Sequence, residues 1–319
     1  AGRKVVEFTG IMANPTYAKV IEGAALARSE NIGLILGAGG GSVMDAAKVM
    51  HKAALDAGFG APEGIVAIPT TSGSGSEVTS FAVVTDEQTH TKVPIASSEL
   101  VAGLAILDPE AVVGVPPHIT ADSGMDVLTH ATEAYVALEA CDFSDALAEK
   151  AVELVFGNLE RCYTHGDDLE ARSHMHNASC MAAMAFDNVG LGIVHSLAHA
   201  LGGHYPIAHG RLNALLLPHV IEFNAARSDR AAERYARLSR LLHPSARGRA
   251  AVTSLIGAVE RLRSRLGIPS RLSDLKVASE VLRRDEDDLV AAALADGCTT
   301  TTPVAPSPDD LKGILRRIA

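Results

Sequence analysis

The sequence predicts an α/β, Rossmann-like N-terminal domain on a parallel sheet, followed by an all-helical C-terminal domain. Three observations carry this. Up to residue 115, short apolar runs alternate with helical patterns, as they do when parallel strands are joined by crossover helices. Two of those runs end in turns rich in Gly or in Ser/Thr. From Pro116-Pro117 onward, apolar residues recur with the 3.6-residue period of packed helices almost to the end. The predicted division is therefore 1–115 and 116–319.

The elements follow in order. Residues 4–8 read as a strand. Residues 15–29 read as a helix with Asn14 as N-cap and Pro15 in the first position, where its missing N–H costs nothing. A second strand is expected at 32–36, ended by Gly37, then a helix at 42–57 with apolar residues at 43, 46, 47, 50 and 54. Further strands are expected at 65–68, 81–85 and 104–107. In the second part, helices are expected at 122–138, 144–163, 168–187 and 192–202. Others follow at 228–242, 250–266, 275–282 and 308–317, the last capped by Ser307 with Pro308 behind it. Residues 299–306 read as a Thr/Pro loop.

Composition bounds the function. The 319 residues are 47% hydrophobic, enough for a sizeable core, with no Trp and 4% aromatics, so Ala, Val, Leu and Ile must fill it. The net charge of −10 opposes nucleic-acid phosphate, and no basic stripe offsets it. The Arg residues around 227–249 alternate with Leu and Ala as on a solvated helix face. Cys141, Cys162, Cys180 and Cys298 lack CxxC spacing, so reduced and mostly buried thiols are expected. No apolar run reaches the ~18 residues of a membrane span, and no leader pattern opens the chain. A cytoplasmic location, with no nucleic-acid or membrane partner, is the expectation.

Two loops carry binding chemistry. Gly37-Ala38-Gly39-Gly40-Gly41-Ser42 follows a strand and opens a helix, so backbone N–H groups and the positive helix terminus can meet a phosphate. Ser42 stands where GxGxxG needs its third glycine, so this is not the usual dinucleotide fingerprint. Pro69-Thr70-Thr71-Ser72-Gly73-Ser74-Gly75-Ser76-Glu77 follows another strand and offers hydroxyls and backbone donors for phosphate or ribose. Ligands collect at the carboxyl ends of parallel strands, where both loops would lie.

Asp126 and His130 are four residues apart, one turn along one helix face, and so are His195 and His199. Either pair alone is commonly a hydrogen-bonded surface or core pair. The stretch 190–210 is different. Its His195, His199, His204 and His209 stand among apolar and small residues, where unpartnered imidazoles are costly. His209 is expected in a loop marked by Pro206 and Gly210. A carboxylate with imidazoles suits Fe²⁺, Zn²⁺ or another first-row divalent ion.

Together these motifs resemble the iron-containing (group III) alcohol dehydrogenase family. The match includes Asn14-Pro15-Thr16, Gly39 to Lys48, Thr70 to Glu77, Gly124 to His130 and Gly190 to Gly210. The resemblance implies the dehydroquinate synthase-like architecture of that family. It implies NAD(P)-linked hydride transfer between small primary alcohols and aldehydes, in a homo-oligomer, a dimer or larger. It places Asp126, His130, His195 and His209 on the metal ligands, and His199 beside them as the candidate proton relay or orienting group. Gly39, Gly40, Gly41 and Ser42 fall on the pyrophosphate loop, with Asp45 assisting. Thr70, Thr71, Ser74, Thr79, Val83 and Lys92 fall on positions lining the nucleotide. Phe81, Phe186 and Leu191 join Val83 as expected substrate-lining residues.

The segment from His176 to Phe186 resembles the branch that includes ethanolamine- and propanediol-utilisation dehydrogenases, which adds a bacterial microcompartment as a setting. Related reductases acting on 1,3-propanediol, lactaldehyde or sulfoacetaldehyde are near alternatives. Ser74 stands for the usual Thr, and Ala208 for a common Pro. Family members usually carry a further strand and helix ahead of this start, including the acidic residue that separates NAD from NADP. The reading favours a chain that is part of a longer protein. A metallohydrolase or lyase on the same Asp/His₃ site is a rival that needs no nicotinamide, and the two loops weigh against it. A non-catalytic assembly subunit is another, and it would leave those loops without nucleotide.

Overall fold

The structure is a computed structural model that describes residues 4–58, 64–87 and 91–319. The chain forms two compact units, Ala1–Val112 and Val113–Ala319.

The first unit holds α1 (Tyr17–Ser29), β1 (Ile35–Gly39), α2 (Gly41–Asp56), β2 (Ile65–Pro69), β3 (Phe81–Asp86), β4 (Thr91–Ala96) and β5 (Leu104–Ala105). A parallel sheet runs β1-β2-β5, with Ile35 opposite Ile65 and Gly39 opposite Pro69. That register brings the carboxyl ends of β1 and β2 level, so their two loops emerge side by side. β3 departs from the expected parallel sheet and forms a separate antiparallel pair with β4, Phe81 opposite Ala96. Val20, Ala46, Val49, Met50, Ala82 and Val84 make the small core beneath α1, α2 and the β3–β4 pair.

Several expectations need correction. Residues 4–8 form no strand: Val5 is 82% exposed, and no strand lies beside them among the described residues. α1 is capped by Thr16, whose hydroxyl accepts the Lys19 N–H at 3.3 Å, while Asn14 takes a left-handed φ of 58°. The run expected at 32–36 becomes a strand only from Ile35. The partner of β3, β4, was not read, because Pro94 and Lys92 break up the short strand's apolar signal.

The second unit is helical throughout: α3 (Pro117–Val136), α4 (Asp142–Thr164), α5 (Leu169–Val189), α6 (Ile193–His204), α7 (His209–Arg227), α8 (Asp229–Leu242), α9 (Gly248–Arg265), α10 (Ser279–Ala295) and α11 (Pro308–Arg317). α3 lies at the centre and packs on α4, α5 and α7. Buried alanines, among them Ala131, Ala134, Ala151 and Ala182, let these helices approach closely without large side chains. Ser307 caps α11 in a reciprocal pair with Asp310.

α7 was not foreseen, and His209 begins it rather than sitting in a loop. Its buried residues, from Leu212 through Pro218 to Phe223, are nearly continuous, so no apolar stripe marks it as a helix. α10 runs well beyond the expected 275–282, because the charged run 283–288 masks its buried face at Leu282, Glu286 and Leu289. The Arg face of α8 is not simply solvated: Arg230 donates to the Ala137 carbonyl at 3.0 Å, and Arg234 bonds the Tyr135 carbonyl and Asp145. All four cysteines are free, but only Cys162 is buried. Among the described residues, no single helix is long and apolar enough to cross a membrane.

Candidate functional site

The central helix α3 presents Asp126 and His130 one turn apart, both buried. His195 comes from the first turn of α6 and His209 from the first residue of α7. Their atoms converge. His130 Nε2 and His195 Nε2 each lie 3.7 Å from Asp126 Oδ1, and His209 Nε2 lies 3.6 Å from it. The His130 and His195 rings stack at 4.7 Å between centroids. Burial alone would raise the Asp126 carboxyl, but the imidazoles of His130, His209 and His195 hold it well below the usual carboxylate range.

Gly210 makes this convergence possible. A Cβ there would lie 1.9 Å from the Asp122 carbonyl oxygen, so only glycine lets the start of α7 lie against the α3 backbone. Arg211 then donates to Asp122 at 2.9 Å, tying the same two helices.

Three residues missed by the sequence reading complete the centre. Glu133, fully buried on α3, accepts the Gly192 N–H at 3.0 Å and the Val194 N–H at 2.7 Å. Its carboxylate also lies 2.6 Å from His195 Nδ1. A carboxylate can only accept there, so Nδ1 carries a proton; burial opposes a charge on the ring, yet Asp126 and Glu133 push the imidazole up to about 9. Asn213, one turn beyond His209, places its amide nitrogen 2.7 Å from Asp126 Oδ1, 3.2 Å from His195 Nε2 and 3.1 Å from His209 Nε2. The third is Asp296, bonded through Oδ2 to His199 Nδ1 at 2.8 Å and through Oδ1 to the Cys298 N–H at 2.8 Å. Burial opposes ionisation of Asp296, yet the His199 imidazole and the Cys298 N–H hold it down at about 2. Glu133 and Asn213 had a local signal, since they lie at helical spacing from Asp126 and His209. Asp296 had none, being 97 residues from its partner.

Asp126, His130 and His195 offer ligand atoms that all lie within 4.8 Å of one another, as the ligands of one divalent ion do. A tetrahedral ion with bonds of about 2.0–2.2 Å holds its ligand atoms about 3.3–3.6 Å apart; His209 Nε2 stands 3.6 Å from Asp126 Oδ1, at the edge of that group. His199 is outside this group: its ring stacks on His209 at 5.1 Å and is roughly half exposed. His204 bonds the Ala200 carbonyl at 3.2 Å, as a structural histidine does. Phe186 tilts against His130 at 4.6 Å. The Leu191 carbonyl accepts from Thr301 at 2.7 Å.

In the first unit, Gly39 ends β1, Gly40 precedes α2, and Gly41 and Ser42 open it without a side-chain cap. The two loops close on each other: the Thr70 N–H donates to the Gly39 carbonyl at 2.9 Å, and a Cβ on Gly41 would meet Ser74 Oγ at 2.7 Å. Thr71 lies against Gly40. Asp45 is turned inward, accepting from Ser76 Oγ at 2.6 Å and the Val83 N–H at 3.0 Å. Thr79 is buried on the ammonium of Lys48, which donates to the Ser76 and Thr79 carbonyls at 2.9 and 2.7 Å. Lys48 was not singled out in the sequence, yet it pins the second loop from below. Lys92 stands on β4 opposite Thr85, and Phe81 is 44% exposed on β3.

Residues 120–319 match the Fe-containing alcohol dehydrogenase family, C-terminal, and residues 1–109 match Iron-containing alcohol dehydrogenase. The chain is 45% identical over 314 residues to 1-propanol dehydrogenase PduQ of Citrobacter freundii, covering 98% of this chain and 84% of that one. It is 38% identical over 330 residues to the NADPH-dependent butanol dehydrogenase of Clostridium saccharobutylicum, covering 99% and 84%. Among solved structures, a 1,3-propanediol oxidoreductase superposes with a TM-score of 0.91 at 35% identity, covering 98% of this chain and 84% of that one. An alcohol dehydrogenase from Oenococcus oeni gives 0.92 at 31%, covering 100% and 85%.

Proposed function

Since the chain belongs to the iron-containing alcohol dehydrogenase family, we propose that it exchanges a hydride between a short primary alcohol or aldehyde and NAD or NADP, at one divalent ion held by Asp126, His130, His195 and His209. It is an oxidoreductase that interconverts alcohols and aldehydes. The proposed substrate pair is 1-propanol and propanal, after the relative at 45% identity named for 1-propanol. The proposed ion is Fe²⁺, with Zn²⁺ equally compatible with the donor set. A homo-oligomer acting in the cytoplasm is part of the same reading.

The observation that carries it is the gathering of three imidazole nitrogens 3.6–3.7 Å around one carboxylate oxygen. When bound, the ion supplies Lewis acidity toward the substrate oxygen, and the nicotinamide carries the hydride. The chain's own residues do the rest. Glu133 keeps the proton on His195 Nδ1, so Nε2 presents a lone pair. Asp296 holds His199 by Nδ1, which leaves Nε2 of this half-exposed ring to pass the hydroxyl proton toward solvent. Gly40, Gly41 and Ser42 offer the uncapped start of α2 to a pyrophosphate. Thr70, Thr71 and Ser74 add hydroxyls beside it. Asp45, Thr79 and Val83 act from beneath, by fixing the loop they are bonded into.

The test is oxidation of NADH and of NADPH by propanal, with Fe²⁺ or Zn²⁺ supplied. Turnover with one nucleotide is expected, and His209→Ala should abolish ion retention in elemental analysis while the protein stays folded. No turnover with propanal, acetaldehyde or butanal would count against the substrate class, and full ion content in His209→Ala would remove that ligand.

A further inference from the structure

Asn213 is wholly buried on α7 and has an uneven set of partners. Its amide nitrogen faces three polar atoms at once: the acceptor Asp126 Oδ1 at 2.7 Å, and the ring nitrogens His209 Nε2 at 3.1 Å and His195 Nε2 at 3.2 Å. Its carbonyl oxygen, Oδ1, has no hydrogen-bond partner. An amide nitrogen carries two protons, so it cannot serve all three. A buried carbonyl without a donor costs free energy. A side chain held in this position is poorly accounted for by packing or by its own hydrogen bonds.

The metal centre around it explains it. The ring nitrogens of His195 and His209 point at the same small region as Asp126 Oδ1. Without an ion, the Asn213 amide donates into that region, as the His195 imidazole does toward Asp126. With an ion on those ring nitrogens, the amide keeps the carboxylate oxygen, which has a lone pair to spare. We propose that Asn213 is the positioning residue of the metal centre, standing in for the ion when the site is empty and anchoring Asp126 Oδ1 when it is filled. It thereby sets the affinity for the ion without ligating it. The proposal rests on the four-ligand reading above. Removal of such an outer hydrogen bond typically weakens metal binding about 10–100-fold.

Asn224 supplies an internal control. It lies on the same helix, is equally buried, donates to the Tyr235 hydroxyl at 3.1 Å and likewise has an unpartnered Oδ1. It touches no proposed ligand.

The experiment titrates the ion-free full chain with Co²⁺, reading both the dissociation constant and the d–d absorption that reports coordination geometry. Asn213→Leu, of nearly the same volume, and Asn213→Ala should each weaken Co²⁺ binding by at least about tenfold and alter the d–d band. Asn224→Leu should leave both readouts within about twofold of the parent, even if it melts earlier. Either Asn213 variant folding with unchanged affinity and spectrum overturns the proposal, as does equal weakening by Asn224→Leu, which would mark a general loss of packing. A parent chain that binds no stoichiometric Co²⁺ would instead overturn the ligand assignment itself, so the two failures are distinguishable.

Discussion

At the scale of single residues, the centre depends on proton placement as much as on ligand identity. Glu133 receives three donors and can offer none, which is what forces the His195 proton onto Nδ1. Glu133→Gln keeps the shape but replaces one acceptor oxygen by an NH₂. Val194 donates to Oε1, whereas Gly192 and His195 Nδ1 share Oε2; an NH₂ in the Oε2 place faces His195 Nδ1 and drives the proton to Nε2. The lone pair then vanishes from the side where Asp126 waits. We expect an affinity loss of about 10–100-fold for Zn²⁺ or Co²⁺ in a chain whose circular dichroism is unchanged. Parent-like affinity in competition with a chelator would show that Glu133 only caps α6. Much of this was legible, because Asp126, His130 and Glu133 follow one another at +4 and +7 along one face of α3. An acid between apolar residues at that spacing is itself a signal. Asp296 was not legible, because nothing local ties it to His199; only the turn after α10 brings it there.

At the scale of elements, sequence patterns found the helices with a clear apolar face and missed α7, which has none. α8 shows a stripe and was placed nearly to the residue, whereas α7 is buried on most sides and carries Pro218 in its interior. The parallel strands β1 and β2 were visible as apolar runs ending in loop residues. β3 looked the same, and its antiparallel pairing with β4 depends on a neighbour, not on its own composition. The missed α7 is the element on which the centre turns, since its first residue is His209 and its second, Gly210, touches the α3 backbone. Gly210→Ala would push a methyl into the Asp122 carbonyl, and neither backbone can yield without parting α7 from α3. Overpacking of this kind costs about 1–3 kcal/mol, and His209 should move off Asp126 with it. Gly313→Ala, in the interior of α11 with nothing near its Cβ, should instead raise stability by about 0.5–1 kcal/mol. Chemical unfolding and Co²⁺ titration of both variants check this. A Gly210→Ala chain as stable as Gly313→Ala, with ion affinity intact, would mean that the helices do not touch there.

At the scale of the whole molecule, the two units divide the chemistry between them. All four proposed ligands, together with Glu133, Asn213 and Asp296, lie within 113–319, and both phosphate-type loops lie within 1–112. The composition foreshadowed this split: small aliphatic residues suit close-packed helices, and Pro116-Pro117 marks the change of pattern. The ligands come from three helices, α3, α6 and α7, so an ion joins segments more than eighty residues apart in sequence. An ion that binds only the folded unit stabilises it by mass action, about 2.7 kcal/mol at a hundred times its dissociation constant. Hydrogen exchange should then slow by about a hundredfold at amides of α3, α6 and α7 that exchange through opening of that unit. The α1, β1 and α2 amides should be unmoved by Zn²⁺ alone. Nucleotide alone should do the reverse, protecting 37–42 and 70–77 while leaving the amides around Asp126 at their original rates. Mass-spectrometric exchange on the full chain, with each ligand separately, reads both patterns in one experiment. Protection by Zn²⁺ confined to the first unit would move the ion away from Asp126 altogether, whereas protection of α3 without α7 would remove His209 and Gly210 from the centre while leaving Asp126, His130 and His195 in place.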